Sequence, residues 1–148
     1  MRQKMQYKEI KQGYFLARPN RFIAHIEIEG QVEVCHVKNT GRCRELLTPR
    51  AVVYVECHDD QKRKTKYSLI AVKKGGLLIN MDSQAPNKVV NEWLQGGGLV
   101  PAITLLKPEC KHGTSRFDFY VETLQQKLFI EVKGVTLEEN GIAMFPDA

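Results

Sequence analysis

Residues 115–134 read SRFDFYVETLQQKLFIEVKG, and the rest of the predicted architecture is built outward from this stretch. Two runs rich in aromatic and β-branched residues, 117–122 and 127–133, flank a short and mostly polar segment, which predicts a β-hairpin. Pairing Asp118 with Glu131 leaves residues 123–126 as a four-residue loop, an ordinary hairpin length. A shift of two residues would keep the same faces but would separate the two carboxylates, so the alternation alone does not decide the register.

Alternation along the two strands sorts their side chains into two faces. The apolar face comprises Phe117, Phe119, Val121, Leu128, Ile130 and Val132. The polar face comprises Arg116, Asp118, Tyr120, Glu122, Lys127, Phe129, Glu131 and Lys133. Paired Cβ atoms lie about 5 Å apart, so Asp118 and Glu131 could share a hard divalent cation such as Mg²⁺, with Lys133 projecting toward the same place. The alternative is a solvated charged face with cross-strand ion pairs.

Length, charge and composition narrow the class of protein. The chain has 148 residues, which suits one ordinary domain or two small ones. Its hydrophobic content of 43% is sufficient for a core, and its net charge of +5 slightly favours polyanionic partners. No run approaches the ~20 apolar residues of a membrane span, and the first residues lack the apolar stretch of a signal peptide. We therefore expect a cytoplasmic protein with no membrane partner.

The four cysteines do not form a Cys-x-x-Cys pair; they are Cys35, Cys43, Cys57 and Cys110. Cys35 stands beside His36, which could suggest zinc, but the spacing does not match the usual ligand patterns. Free cysteines commonly behave as small buried hydrophobic residues. We predict buried free thiols at these positions.

The first half of the chain predicts a small β-barrel. Alternating apolar residues over 22–28 predict a strand, and Glu29-Gly30 turns it into a second strand over 31–37. Further strands are predicted over 51–57, 66–73 and 77–81, with a helical turn or two over 42–47 and a partly ordered arm or first strand over 1–13. Around five short strands with one helical insertion favour an OB-like β-barrel over residues 1–82. Such barrels often bind nucleic-acid strands, although fold alone does not establish function.

Two basic features of this half are candidates for nucleic-acid contact. Arg18 and Arg21 stand beside Phe22, and residues 62–66 read KRKTK. Cationic side chains near an aromatic ring fit phosphate contact combined with base stacking. The alternatives are a structural turn at the first feature, where Pro19 restricts Arg18 to extended geometry, and a solvated hairpin tip at the second.

The second half is predicted to begin after Asp82 and to start with a helix. Ser83 could cap this helix, apolar residues recur over 88–95, and three glycines end it. We expect Trp93 to pack at the junction of the two halves rather than to stack on a base. One helix would cover Phe119 and its apolar neighbours on the hairpin poorly, and the segment from 84 onward is marginal for an independent domain. We therefore expect either further chain beyond Ala148 or a second subunit, as in a homodimer, to cover that face.

Several segments together resemble one known family. They are RPNRF at 18–22, HVKNTGR at 36–42, SRFDF at 115–119, EVKGVTL at 131–137 and FPDA at 145–148. Taken together they resemble the sugar fermentation stimulation protein A family of bacteria and archaea, over essentially the whole chain. Members of that family continue past the FPDA segment with a Thr-x-Arg-Gly-x-x-His-Leu stretch. The resemblance therefore implies a chain truncated at its carboxyl end.

The resemblance implies an α+β protein in which an N-terminal OB-like domain precedes a domain related to PD-(D/E)-x-K nucleases, here incomplete, over residues 83–148. Asp118 matches the aspartate of that nuclease motif, and Glu131 and Lys133 match its Glu-x-Lys. Glu109 falls where a further acidic residue of the site would be expected. The sequence after it, CKH at 110–112, departs from the Val-Lys-Tyr type that is more usual there.

These observations lead to an expected activity and to a rival. The expected activity is a metal-dependent phosphodiesterase acting on DNA or RNA, with Mg²⁺ or Mn²⁺ held by Asp118 and Glu131 and supported by Glu109. Lys133 would orient the attacking water or offset charge on the phosphate. The expected nucleic-acid contacts are Arg18, Arg21, Phe22, Arg42, Lys62, Arg63, Lys64, Lys66 and Arg116. The rival is a DNA-binding regulator of sugar-utilisation genes that does not cleave, as the resemblance also implies; a small barrel that binds a metabolite is a third alternative.

Overall fold

The computed structural model describes residues 4–145, and the chain divides into two compact units. One unit comprises Tyr7–Ser83 and Val135–Ala148, and the other comprises Gln84–Gly134 and Met1–Gln6. The division near residue 83 lies close to the expected boundary, but the segment from Val135 groups with the first unit rather than with the second. Residues 146–148 of the FPDA segment lie outside the described residues.

The described residues form one helix and eleven strands. In chain order these are β1 (Glu9–Asn20), β2 (Ile23–Ile28), β3 (Gln31–Val37), β4 (Val52–Cys57), β5 (Tyr67–Lys74), β6 (Leu77–Asn80), α1 (Ala85–Gln95), β7 (Leu105–His112), β8 (Ser115–Glu122), β9 (Lys127–Ile130), β10 (Leu137–Glu139) and β11 (Ile142–Met144). The helix is neither long nor apolar enough to cross a membrane.

The strands of the first unit pair in a closed ring. The sheet order is β3-β2-β1-β4-β5-β6, and an additional parallel pairing joins β3 to β5. Five strands therefore close on themselves through β3 and β5, and β6 continues from β5 outside the ring. This agrees with the expected OB-like arrangement. β1 is longer than predicted, since it continues through Pro19 to Asn20.

The hairpin predicted around Glu29-Gly30 is confirmed. β2 and β3 pair from Ile23 opposite His36 to Ile28 opposite Gln31. Both turn residues have positive φ, 52° at Glu29 and 80° at Gly30, as a two-residue turn between right-twisted strands requires. One face of β2 is completely buried, because Ala24, Ile26 and Ile28 are at most 2% exposed and form part of the core of the unit.

The helical turn or two predicted over 42–47 is present as one turn. The backbone N–H groups of Leu46 and Leu47 both donate to the carbonyl of Cys43, so the segment forms a single turn and does not continue as a helix. Leu46 and Leu47 are buried against the core of the ring. The turn therefore buries its two leucine side chains in the core, while Arg42 and Arg44 remain exposed.

The second unit packs α1 against the three-stranded sheet β7-β8-β9. Gly96 ends the helix, as predicted, and Pro86 lies in its first turn, but the N-cap residue is Gln84 rather than Ser83. Leu94 packs with Phe119 and Val121, and all three are at most 2% exposed. The expectation that Phe119 would be poorly covered is wrong, because one helix and the chain that follows it bury this part of the apolar face.

Candidate carboxylate site and arginine cleft

The register of the β8–β9 hairpin is the one that pairs Asp118 with Glu131. Tyr120 lies opposite Phe129 and Glu122 lies opposite Lys127, as predicted. The N–H of Thr123 donates to the carbonyl of Gln126 at 2.9 Å and closes the four-residue loop. Of the two registers that the alternation permits, the structure has the predicted one, and its ladder ends at Phe119 opposite Ile130, one pair before Asp118 and Glu131.

β9 nevertheless ends at Ile130, before the Glu-x-Lys segment, whereas the sequence pattern predicts a strand that reaches Lys133. The cause lies in Asp118, whose Oδ2 accepts a hydrogen bond of 2.7 Å from the backbone N–H of Val132. A side-chain oxygen here takes the place of a backbone partner. Glu131 is therefore opposite Asp118 in register but stands just outside the regular ladder.

A second hydrogen bond fixes the Asp118 carboxylate from the side of α1. Asn87, in the first turn of the helix, donates from Nδ2 to Oδ1 of Asp118 at 2.9 Å. The start of the helix also lies close to the chain after Lys133, since a Cβ on Gly134 would lie 2.9 Å from Cγ of Pro86. Asn87 is not among the site residues predicted from the sequence; the available signal is a polar residue directly after a first-turn proline.

The other four residues predicted for the carboxylate site form two ion pairs at the surface. Nζ of Lys133 lies 3.3 Å from Oε1 of Glu131, and Nη2 of Arg116 lies 3.4 Å from Oε2 of Glu109. All four side chains are about half exposed or more. Within residues 4–145 no three His, Cys, Asp or Glu side chains are grouped closely enough to hold a metal ion.

Glu109 has an unusual backbone within β7. Its φ is 55°, in the left-handed region that glycine favours. The pairs Pro108–Phe119 and Cys110–Phe117 flank Glu109 and Asp118, which therefore fall at the same step of the ladder without being paired in it. The structure therefore places Glu109 beside the carboxylate site in sequence register, while its carboxylate contacts Arg116.

Aromatic side chains cluster around Phe129, among them Phe117, which the alternation assigns to the opposite face of the hairpin. The ring centroid of Phe129 lies 4.8 Å from that of His112, 4.9 Å from that of Phe117 and 5.1 Å from that of Tyr120. The hydroxyl of Tyr120 donates to the Glu122 carboxylate, and this hydrogen bond raises the pKa of Tyr120 to about 12. Tyr120 is thus held as a neutral hydrogen-bond donor.

Arg18 holds together the loops at one end of the first unit. Its Nη1 donates to the carbonyls of Gly41 at 2.6 Å and Arg42 at 2.9 Å. Its Nη2 donates to the carbonyls of Arg21 at 2.8 Å and Asn39 at 2.6 Å. Because one guanidinium reaches four carbonyls, these contacts support the structural alternative for Arg18 over direct nucleic-acid contact.

The loops that Arg18 joins surround an open cleft of about 390 Å³. The cleft is lined by Phe15, Arg18, Asn20, Arg21, Thr40, Arg42, Arg44 and Leu47. Four of these lining residues are arginines and none is acidic. The guanidinium of Arg21 also lies 5.2 Å from the ring centroid of Phe22, which is 53% exposed. Arg44 is not among the contacts predicted from the sequence, although the Arg-Cys-Arg spacing at 42–44 is a visible signal.

The basic run at 62–66 lies in the loop between β4 and β5 and is exposed except for Thr65. Arg63 folds back onto the unit, with Nη2 3.4 Å from Oγ of Ser68 and Nε 3.5 Å from the carbonyl of Thr65. Oγ of Ser68 also lies 2.8 Å from Nε2 of His58. The lysines of the run remain directed to solvent at the predicted hairpin tip.

The cysteines divide into two groups. Cys35 and Cys43 are buried as predicted, whereas Cys57 and Cys110 are partly exposed. Burial raises the pKa of the Cys35 thiol to about 12. Burial also lowers the pKa of His36, and its Nδ1 has no hydrogen-bond partner among the described residues. Cys35 is therefore an inert core thiol at neutral pH.

Two family models match the chain, and their boundaries follow the two halves. The SfsA N-terminal OB domain matches residues 16–81, and the sugar fermentation stimulation protein RE domain matches residues 84–148. The chain belongs to the sugar fermentation stimulation protein family. This confirms the resemblance drawn from the sequence segments.

Relatives of this family and one solved structure match almost the whole chain. The sugar fermentation stimulation protein homolog of Ruminiclostridium cellulolyticum is 65% identical over 144 residues, and that of Clostridium beijerinckii is 63% identical over 144 residues. Both alignments cover 97% of this chain and 64% of the relative, so the chain spans less than two thirds of their length. The structure of Pyrococcus furiosus SfsA in complex with Ca²⁺ matches with a TM-score of 0.83 and 28% identity, over 97% of this chain and 62% of that one.

Proposed function

We propose that this protein is a metal-dependent phosphodiesterase acting on nucleic acid, with Asp118, Glu131 and Lys133 at the reacting centre. The observation that carries the proposal is the double anchoring of the Asp118 carboxylate. Asn87 from the helix and the N–H of Val132 hold its two oxygens directly beside the Glu-x-Lys segment. Catalytic groups need such fixed positions before substrate arrives.

The donor set fits a hard divalent cation. A carboxylate has about four acceptor positions, and the two hydrogen bonds to Asp118 use two of them. Glu131 and Glu109 are engaged only in exposed ion pairs, each worth at most about 1 kcal/mol, so an arriving cation can displace their partners. Mg²⁺ and Mn²⁺ prefer oxygen ligands, and Mg²⁺ usually keeps several waters and needs few protein ligands. One relative was solved in complex with Ca²⁺, a cation that also prefers oxygen ligands.

The side chains around the carboxylates supply the remaining chemistry. A bound divalent cation polarises a phosphoryl oxygen and lowers the pKa of a coordinated water. Lys133, once released from Glu131, can offset the negative charge that develops on the phosphate. Arg116, on the same face of the hairpin, is freed from Glu109 in the same way and can contact a neighbouring phosphate.

The first unit would hold the nucleic-acid strand. Folds of the OB type bind oligonucleotides with the loops between strands 1 and 2 and between strands 4 and 5. Arg21 and Phe22 form the first of these loops, and the basic run at 62–66 lies in the second. Because phosphate contacts dominate this kind of binding, we expect a steep loss of affinity with salt and little sequence preference.

A DNA-binding regulator without cleavage is the second candidate. It is favoured by the position of the Glu109 carboxylate, which contacts Arg116. The absence of a three-residue metal cluster within the described part of the chain points the same way. In this candidate the hairpin would contribute to binding through Arg116 and Lys133 alone.

Metal binding and cleavage can be measured separately. Titration with Tb³⁺, followed by luminescence excited through neighbouring aromatic rings, reports cation binding in the wild type, Asp118→Asn and the matched control Glu139→Gln in β10. Cleavage is measured on end-labelled single- and double-stranded DNA and RNA with Mg²⁺, Mn²⁺ or chelator, with Lys133→Met as a further variant. We expect Asp118→Asn to lose both signals and Lys133→Met to lose cleavage alone. Nucleic-acid binding without cleavage under every condition would refute the phosphodiesterase proposal and favour the DNA-binding regulator.

A further inference from the structure

The arginine cleft differs from the sites of Arg50 and Arg116 in that no acidic residue lines it. Arg50 forms an ion pair of 2.7 Å with Glu27, and Arg116 pairs with Glu109. The side chains of Arg42 and Arg44, by contrast, make no hydrogen bond or ion pair with any residue in the part of the chain that the structure describes. These guanidinium groups keep their donors available for a ligand.

The charges around the cleft are gathered rather than dispersed. Arg18 anchors the loop at 39–42 to the turn that carries Arg21, so the basic side chains are kept around one opening. Like charges held close together repel one another unless an opposite charge intervenes. The arrangement therefore favours an anion over a neutral ligand.

The interior of the cleft adds shape and apolar contact. Phe15 and Leu47, at most 8% exposed, contribute apolar surface, and Asn20 and Thr40 contribute amide and hydroxyl groups. The volume of about 390 Å³ lies at the lower end of the range for small-molecule sites, ~300–1,000 Å³. A planar guanidinium matches phosphate oxygens through two parallel hydrogen bonds. Size and lining together match a ligand with one phosphate group and a small, partly apolar body.

We infer that this cleft binds a single nucleotide that carries a terminal phosphate monoester. Arg21, Arg42 and Arg44 hold the phosphate, and Phe15 and Leu47 contact the sugar or base. A phosphate monoester carries about −1.5 to −2 charge at neutral pH, whereas an internal phosphodiester of a strand carries one. The unpaired guanidinium groups of Arg42 and Arg44, together with that of Arg21 beside the ring of Phe22, thus favour the terminal group. The inference deepens the proposed function, because the end of a nucleic-acid strand and a free mononucleotide present this same chemistry.

Calorimetry in low salt, without divalent cations, tests the inference with AMP, adenosine and inorganic phosphate. A second series compares a decamer with a 5′-phosphate and the same decamer with a 5′-hydroxyl. We expect AMP to bind more tightly than adenosine, and the phosphorylated decamer more tightly than the hydroxyl one, each by about tenfold or more, as for the loss of a charge-assisted hydrogen bond. Tighter binding of the phosphorylated decamer than of AMP identifies the strand end as the ligand, and equal binding identifies the free nucleotide.

Variants distinguish binding at the cleft from nonspecific binding to the positively charged surface of the protein. Arg44→Gln should remove the preference for the phosphorylated ligands, whereas Arg50→Gln, with its guanidinium paired elsewhere, should retain it. Thermal unfolding of both variants checks that each is folded, and Arg42→Gln provides a second variant in the cleft. Equal binding of AMP and adenosine, or an unchanged preference in both cleft variants, would overturn the inference. The assay contains no divalent cation, so a failure of the nuclease proposal does not affect its outcome.

Discussion

Replacing Arg18 with lysine keeps the positive charge but removes the planar fork that reaches four backbone carbonyls at 2.6–2.9 Å. An ammonium group has three donors on a flexible stem and cannot reproduce this geometry, so at least two or three of the hydrogen bonds should be lost. A typical intramolecular hydrogen bond contributes about 0.5–1.5 kcal/mol net. Because most of these contacts are solvent-accessible, values near the lower end apply, and Arg18→Lys should lower the free energy of unfolding by about 2 kcal/mol.

Urea unfolding followed by circular dichroism measures this change. Arg21→Lys is the matched control, since Arg21 is exposed and its side chain contacts the ring of Phe22 and no carbonyl that Arg18 holds. We expect the control to stay within about 0.5 kcal/mol of the wild type, as is usual for surface substitutions. If Arg18→Lys is as stable as the control, the guanidinium does not hold the loops, and the cleft is shaped by other contacts.

Two further predictions concern the second unit, and a third concerns Tyr7 at the start of the first unit. Gly134→Ala should lower the free energy of unfolding by about 1–3 kcal/mol, because the new Cβ contacts Pro86. Adding Pro86→Ala to the same chain should restore most of this loss in urea unfolding. No recovery would contradict the contact. Asn87→Ala should weaken Tb³⁺ binding about tenfold, because removing a residue that hydrogen-bonds to a metal-binding carboxylate commonly has an effect of that size. Unchanged affinity would show that the hydrogen bond to Asp118 does not position the site. Burial, with a further contribution from the hydrogen bond to Asp82, raises the pKa of Tyr7 from 10.0 to about 12. The contribution of Tyr7 to stability is therefore complete below pH 10 and is lost as the pH rises toward 12. The difference in unfolding free energy between the wild type and Tyr7→Phe should shrink over that interval. A difference that stays constant across it would refute the assignment.

The hairpin shows how far the sequence alone can specify a structure. Strict alternation over 117–122 determines which residues share a face, and the length of the polar segment favours one of the two registers that keep those faces. Both inferences depend on neighbours close in the chain. Together they are consistent with Asp118 opposite Glu131 but leave a shift of two residues open; the observed ladder, from Glu122 opposite Lys127 to Phe119 opposite Ile130, has the unshifted register.

What the sequence could not show depends on contacts between distant segments. The carbonyls held by Arg18 carry no side-chain signature, and three of the four belong to residues more than twenty positions away. Asp118 ends β9 by accepting the N–H of Val132, which alternation cannot reveal because Val132 continues the apolar pattern. The positive φ of Glu109 is equally invisible, since glutamate has no preference for that backbone region.

The hydrogen bond from Val132 to Asp118 also makes the backbone of the site a reporter of its occupancy. A cation that draws on Oδ2 of Asp118 competes with this N–H for electron density, and the competition weakens the bond or redirects it. The amide signal of Val132 in a heteronuclear NMR spectrum should then shift as Mg²⁺ is added, while the amide of Gln126 in the hairpin loop, which no carboxylate of the site contacts, remains in place. One amide proton thus monitors whether the carboxylate is engaged, without nucleic acid and without turnover.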